Sequence, residues 1–152
     1  MMTKGEQAVA KFSSGYNCAQ SVLSVFCLEL GLDKDQALKI ACGFGAGMGR
    51  KEEVCGAVSG GIMVISLRFG RGERADRQAT EVTYTKVREL MDRFSQRHGT
   101  YLCRKLLDDC DLMADEGQKT FLNRDYFNTI CKPCVKSVVE IVEKIMQRSS
   151  EK

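Results

Sequence analysis

The chain has 152 residues, 43% of them hydrophobic and 28% charged, with a formal net charge of +3. That balance is ordinary for a folded globular protein and excludes a disordered or low-complexity chain. The small positive charge is mixed in sign, with Glu73 and Asp76 among the arginines of residues 68–77, which argues against a nucleic-acid partner. Residues 1–10 include Lys4, Glu6 and Gln7 and hold no apolar run of the kind a secretory leader carries. Residues 54–67, the most apolar stretch, fall short of the roughly 17–25 residues that a membrane span needs. No membrane insertion and a cytoplasmic setting with reduced thiols are therefore expected.

One proline and few alternating Val, Ile and Thr runs leave little material for a sheet, whereas helical spacing recurs. The expected fold is all-α. It should be a compact single-domain bundle of about five to seven helices over residues 1–152, with a glycine-rich loop and a polar tail from about residue 147. A first helix is predicted over residues 3–12. A second starts near Asn17 and stops at Gly31, a good left-handed terminator. Asp33 is a suitable N-cap for a third, whose apolar face is Ala37, Leu38, Ile40 and Ala41. The glycine run G-F-G-A-G-M-G follows at 43–49.

Residues 55–69 read as a buried helix with Gly56, Ala57, Ser59, Gly60 and Gly61 on its early turns. Small residues there admit another backbone or a bound group at close range. Gly45, Gly47, Gly49, Gly56 and Gly60 are accordingly the candidates to form the wall of a small-ligand or cofactor site. No strand precedes the glycines and no lysine-serine or lysine-threonine pair follows them, so a nucleotide phosphate loop is not the reading. A long amphipathic helix fits residues 74–97, with Val82, Tyr84, Val87, Leu90, Met91 and Phe94 as its core stripe. A short helix over 100–107, a polar stretch at 114–119 and a last helix from Pro133 complete the chain.

Eight cysteines and one histidine carry the chemical signal. A domain of this length buries about 68–70% of its unfolded surface, so disulfide staples are not needed for folding. Cys18 and Cys27 lie nine residues apart on one predicted helix and point to opposite sides, so they cannot share a site. Cys27 sits among apolar neighbours and reads as packing. Cys42 is a small residue beside a turn. Cys55 stands at a helix start, where backbone N–H groups favour a thiolate if the sulfur faces them. Cys131 and Cys134 form C-K-P-C at the start of the last helix, the strongest local signal, with Cys131 expected to be the more acidic thiol. That arrangement serves dithiol exchange or half a metal site. Cys103 and Cys110 share a face if the helix is continuous, but Asp108 and Asp109 favour a turn and disfavour a thiolate at Cys110. His98 before Gly99 reads as a helix-end cap, and its pairing with Cys55 or Cys103 as a catalytic base stays open.

Five blocks in order resemble a known family: G-Y-N-C-A-Q at 15–20, G-F-G-A-G-M-G-R at 43–50, C-G-A-V-S-G at 55–60, L-C-R-K-L-L-D-D-C-D-L at 102–112, and the late Cys131. The chain resembles the redox-active C_GCAxxG_C_C proteins from Gly15 to about Ile141. The resemblance implies a helical protein doing redox or electron-transfer work. It places the family cysteines at Cys18, Cys55, Cys110 and Cys131, with Cys103 accompanying Cys110, and it sets Cys27, Cys42 and Cys134 aside as additions.

The leading expectation is that Cys18, Cys55, Cys103, Cys110 and Cys131 converge on one site. They would cycle between thiols and disulfides, or Cys18, Cys55, Cys110 and Cys131 would hold a metal centre. Soft thiolates select iron-sulfur clusters, zinc or Cu(I). An unidentified redox partner and a homodimer are the expected associations. The competing readings are a non-redox binding protein with a structural zinc or none, and a thiol enzyme acting through Cys55 or Cys131.

Overall fold

The computed structural model describes residues 1–74 and 76–150. Among the described residues it is all-helical, and no strand forms. It starts with α1 (Lys4–Ser13), α2 (Cys18–Ser24) and α3 (Lys34–Cys42). Next come a single turn α4 (Gly45–Met48), α5 (Gly56–Phe69) and α6 (Arg77–His98). The chain closes with α7 (Cys103–Leu106), α8 (Asp115–Asn123) and α9 (Lys132–Ser150). No helix is long and apolar enough to cross a membrane among these residues.

Side-chain caps set several of the starts. Thr3 and Glu6 form a reciprocal capping box on α1, and Asn17 and Gln20 form one on α2. Asp33 caps α3, as its sequence position suggests, and Asp76 caps α6. Gly31 and Gly99 end their helical segments in the left-handed conformation, with φ of 79° and 86°.

There are more helical segments than the five to seven expected. The polar stretch at 114–119 leads into α8, where Asp115 and Glu116 in the first turn favour the helix dipole. Gly117 makes this possible, because a Cβ there would stand inside the Asp111 carbonyl. The predicted stripe of α6 is also displaced. Thr83, Leu90 and Phe94 are buried and Val87 and Met91 half-buried, whereas Val82 and Tyr84 are exposed on the flanks of that face. On α3, Ile40 is exposed and the core takes Ala37 and Ala41.

Helix α5 is the centre, packed by α2, α6 and α9, with α1 lying on α9 and α2. Its glycines permit this. A Cβ on Gly60 would meet the Ala19 carbonyl oxygen of α2 at 2.8 Å, and one on Gly61 would meet Val138 of α9 at 2.6 Å. The core fills from both sides with Val22, Leu23, Phe26, Val58, Ile65, Leu90, Phe94, Val138 and Val142, all buried.

The glycine run after α3 folds into an uncommon form. Ala46, Gly47, Met48, Gly49 and Arg50 take φ of 52°, 66°, 71°, 60° and 67° in succession, one turn of left-handed helix. Left-handed helix costs roughly 1–2 kcal/mol per non-glycine residue, so the turn needs external support. It has that support: Gly49 N–H donates to Gly45 O at 3.0 Å, Glu52 N–H to Ala46 O at 3.2 Å and Glu53 N–H to Gly47 O at 2.9 Å. Gly47 is pressed against the Glu52 Cα, where a Cβ would approach to 2.5 Å.

Candidate functional site

Three local devices bring sulfur to one place. First, Asn17 fixes the start of α2 by donating its side-chain amide to the Cys42 carbonyl at 2.8 Å, while Gln20 donates to Leu38 O at 3.0 Å. Cys18 is the first residue of that helix. Second, residues 53–55 lie antiparallel to 101–103. Cys55 N–H donates to Tyr101 O at 2.8 Å and Cys103 N–H to Glu53 O at 2.6 Å, around a bridge between Val54 and Leu102. Cys55 thereby becomes the N-cap of α5 with Cys103 beside it. Third, the last helix is entered through a π-type turn, Phe127–Cys131, whose wide ring ends with the Lys132 N–H on Phe127 O. Pro133 has no N–H to give a regular ladder, and the wide turn accommodates that lack. Cys131 and Cys134, three apart, then face the same side.

The result is a cavity of about 210 Å³ walled by Cys18, Cys55, Cys103, Cys131 and Cys134 together with aromatic and aliphatic side chains. All eight cysteines are free thiols. On this wall the thiols interact in two pairs. Hydrogen-bonding interaction with Cys131 raises the Cys18 pKa, and interaction with Cys134 lowers that of Cys55. Of the five cysteines expected to converge, four do so. Cys110 lies behind the wall in a second small cluster with Cys103, Leu107 and Tyr126, its thiol donating to Gly117 O at 2.9 Å. Asp108 and Asp109, with φ of 55° and 61°, break the helix between Cys103 and Cys110 and turn the second sulfur away. Cys27 is fully buried in the core and Cys42 is exposed.

The glycines divide similarly. Gly56 lines the cavity, with a Cβ position 3.2 Å from that of Cys18. Gly45 is pressed on Asn17, Gly47 on Glu52 and Gly60 on Ala19, so the close approach each permits is made by the protein's own atoms. Gly49 faces open space.

The electrostatics single out Cys55. The hydrogen bond from Cys134 lowers its pKa against the opposing cost of burial, with the Val58 and Ala57 N–H groups of the α5 start adding to the effect. Its neighbours move the other way. Cys134 is pushed up by the hydrogen bond it gives to Cys55 and then by burial, and Cys18 is raised by its bond with Cys131 and then by burial. Burial raises Cys103, with the charges of Cys55 and Glu52 adding to it, and burial followed by Glu52 raises Cys110. The cavity thus holds one activated thiol beside a protonated partner.

Two residues that the sequence reading placed elsewhere or passed over complete the surroundings. His98, expected as a helix cap, puts Nδ1 4.0 Å from Cys134 Sγ and Nε2 2.9 Å from Ser137 Oγ. Burial lowers its pKa, with Arg97 contributing, so the ring is held toward the neutral form that accepts a proton. Glu52 is buried behind Cys103. Its Oε1 accepts the Leu112 N–H at 2.7 Å and faces Arg104 at 3.4 Å, while Oε2 has no partner. Nothing in composition marks a buried glutamate on a positive-φ residue. Cys134 did have a signal, the C-x-x-C spacing that family spacing set aside.

The thiols are soft donors suited to iron-sulfur, zinc or Cu(I). Among the described residues, however, no group of three or more His, Cys, Asp or Glu side chains is placed to hold a metal ion. The donor type therefore fits a metal and the arrangement of the described residues does not.

A family model described as "Putative redox-active protein (C_GCAxxG_C_C)" matches residues 16–145. No curated protein and no solved structure matches the chain. The matched span contains every sulfur on the cavity wall and nearly the whole described fold, and the chain therefore belongs to the C_GCAxxG_C_C family.

Proposed function

We propose that the protein is a thiol-disulfide redox protein acting through Cys55 with Cys134 and Cys18 with Cys131, on one domain that comprises the whole helical bundle. The observation that carries this reading is the gathering of Cys18, Cys55, Cys131 and Cys134 on one apolar cavity, where they interact in two pairs, one of them containing a thiol of lowered pKa. Cys55 is the attacking thiolate, since the thiolate is the reactive form. Its sulfur bonds to an oxidised acceptor. Cys134 then attacks the Cys55 sulfur, the acceptor leaves with the electron pair, and the Cys134 proton passes to His98 and on to solvent. Each pair gives up two electrons and two protons as its disulfide closes. Cys18 and Cys131 take the place of a reservoir that re-reduces the first pair by exchange.

Equilibration of the anaerobically reduced protein in graded thiol-disulfide buffers, with counting of free thiols, tests the reading. The expected result is reversible loss of four of the eight thiols, two of which are removed from the transition by Cys55→Ser or Cys134→Ser. Eight thiols persisting under oxidising buffer would overturn it.

A further inference from the structure

The cavity is suited to a particular kind of molecule. Its wall includes Phe12, Phe121, Phe127, Leu107, Leu112 and Ile130, and among the described residues no charged side chain lines it. Asn17 is the polar side chain there, and its amide is already engaged, donating to Cys42 O and accepting from Gln20 N–H. Phe12 and Phe127 stack with centroids 4.3 Å apart, forming a flat aromatic rim. A charged thiol, peptide or phosphate would lose its hydration here without compensation. The volume of about 210 Å³ lies above the ~150 Å³ of a dry cavity that takes benzene and below the ~300 Å³ where drug-sized pockets begin. One substituted ring fits.

Building on the dithiol reading above, we propose that this cavity binds an uncharged apolar quinone of single-ring size as the oxidant of the Cys55–Cys134 pair. The chemistry matches in count. The dithiol loses two electrons and two protons, and the quinone gains both to become a hydroquinone. The Cys55 sulfur bonds to a ring carbon, Cys134 attacks that sulfur, and the carbon-sulfur electron pair returns to the ring as the disulfide forms. The ring takes one proton from solvent and one by way of His98.

Duroquinone is a suitable probe because its fully methylated ring resists permanent thiol addition, and durene, the tetramethylbenzene, is its redox-inert counterpart. With the full reduced chain under anaerobic conditions, duroquinone reduction should saturate with concentration, consume two thiols per quinone and be slowed competitively by durene. Durene should also raise the unfolding temperature of a Cys55→Ser/Cys134→Ser protein, a readout independent of redox. Leu112→Phe and Ile130→Phe, which fill the cavity from two sides, should each lower the rate about tenfold and abolish the durene effect. A rate linear in quinone and indifferent to durene, with no stabilisation of the double variant, overturns the inference. Diamide, a polar two-electron thiol oxidant, separates the layers. Disulfides formed by diamide without saturable quinone reduction overturn the quinone site and leave the dithiol chemistry standing. No disulfide with diamide, while durene still stabilises, overturns the dithiol chemistry and the quinone step that rests on it.

Discussion

Replacing Gly60 with alanine tests how the α2–α5 crossing holds the site together. A Cβ at this position would lie 2.8 Å from the Ala19 carbonyl oxygen, 3.0 Å from Val22 Cβ and 3.1 Å from Ala19 Cα. Two of these three are backbone atoms, so relief requires the helices to part by several tenths of an ångström. Two effects oppose each other. Alanine is favoured over glycine inside a helix by about 0.8–1.0 kcal/mol, while overpacking a filled core costs typically ~1–3 kcal/mol. Because a backbone carbonyl cannot rotate aside, the cost should fall in the upper part of that range. The net loss is then about 1–2 kcal/mol, which for a chain of this size lowers the unfolding temperature by roughly 2–8 °C. Gly43→Ala is the control, since nothing lies within 4 Å of its Cβ position and its φ is −70°. That change should be neutral or stabilising by about 0.4–1 kcal/mol. Parting the helices also carries Cys18 away from Gly56 and the cavity, so G60A should slow closure of the Cys18–Cys131 pair. Thermal unfolding followed by circular dichroism measures the first effect and thiol counting the second. A G60A protein as stable as G43A would refute the close crossing.

Other outcomes follow from named contacts. Cys134→Ala removes the hydrogen bond that does most to lower the Cys55 pKa, so Cys55 alkylation at neutral pH should slow and its pH profile shift upward. An unchanged profile would show that the helix start alone activates this thiol. Glu52→Ala leaves the Leu112 N–H without its acceptor and takes one of two carboxylates from Arg104, which keeps Asp111, and denaturant unfolding should register a loss of about 1–3 kcal/mol. The same change removes a charge that raises Cys103 and Cys110, so both should alkylate faster in E52A. His98 has a pKa lowered on folding, so the unfolded chain binds the proton more readily. Protonation therefore costs no stability above the ordinary histidine value of about 6.5, and stability is lost as pH falls from that value through the lower folded one. Between neutral pH and about pH 5, His98→Gln should flatten that part of the stability profile, and an unaltered slope would contradict the assignment.

Much of the scaffold could be read from residues whose effects are local. Asp33 marks a helix start by its side-chain oxygen alone, as expected, whereas the second helix stops at Ser24 and the left-handed Gly31 closes a separate short 3-10 turn at Leu28–Leu30. The same locality explains the failures. At α8, Asp115 and Glu116 are a local first-turn signal, but the close approach of Gly117 to the Asp111 carbonyl that seats the helix is not legible within 114–119. The left-handed turn at 46–50 has alanine, methionine and arginine where the backbone favours glycine, so its support comes from hydrogen bonds reaching back from Glu52 and Glu53. At the site, family spacing drew Cys110 in and left Cys134 out. The two aspartates at 108 and 109 reverse the chain after Cys103, while helical phase puts Cys134 beside Cys131. The C-x-x-C spacing was the better guide to proximity because it is a statement about one helix face. Glu52 and the aromatic wall, both products of chain segments meeting from afar, left no local trace.

The central claim is the pairing of the sulfurs. Mild oxidation of the anaerobically reduced protein, trapping of the remaining thiols at acid pH and mass-spectrometric mapping of the cross-linked peptides reads that pairing directly. The expected links are Cys55–Cys134 and Cys18–Cys131, with Cys27, Cys42, Cys103 and Cys110 recovered as alkylated thiols. Links joining Cys103 to Cys110, or the absence of either predicted pair while other cysteines oxidise, would contradict it.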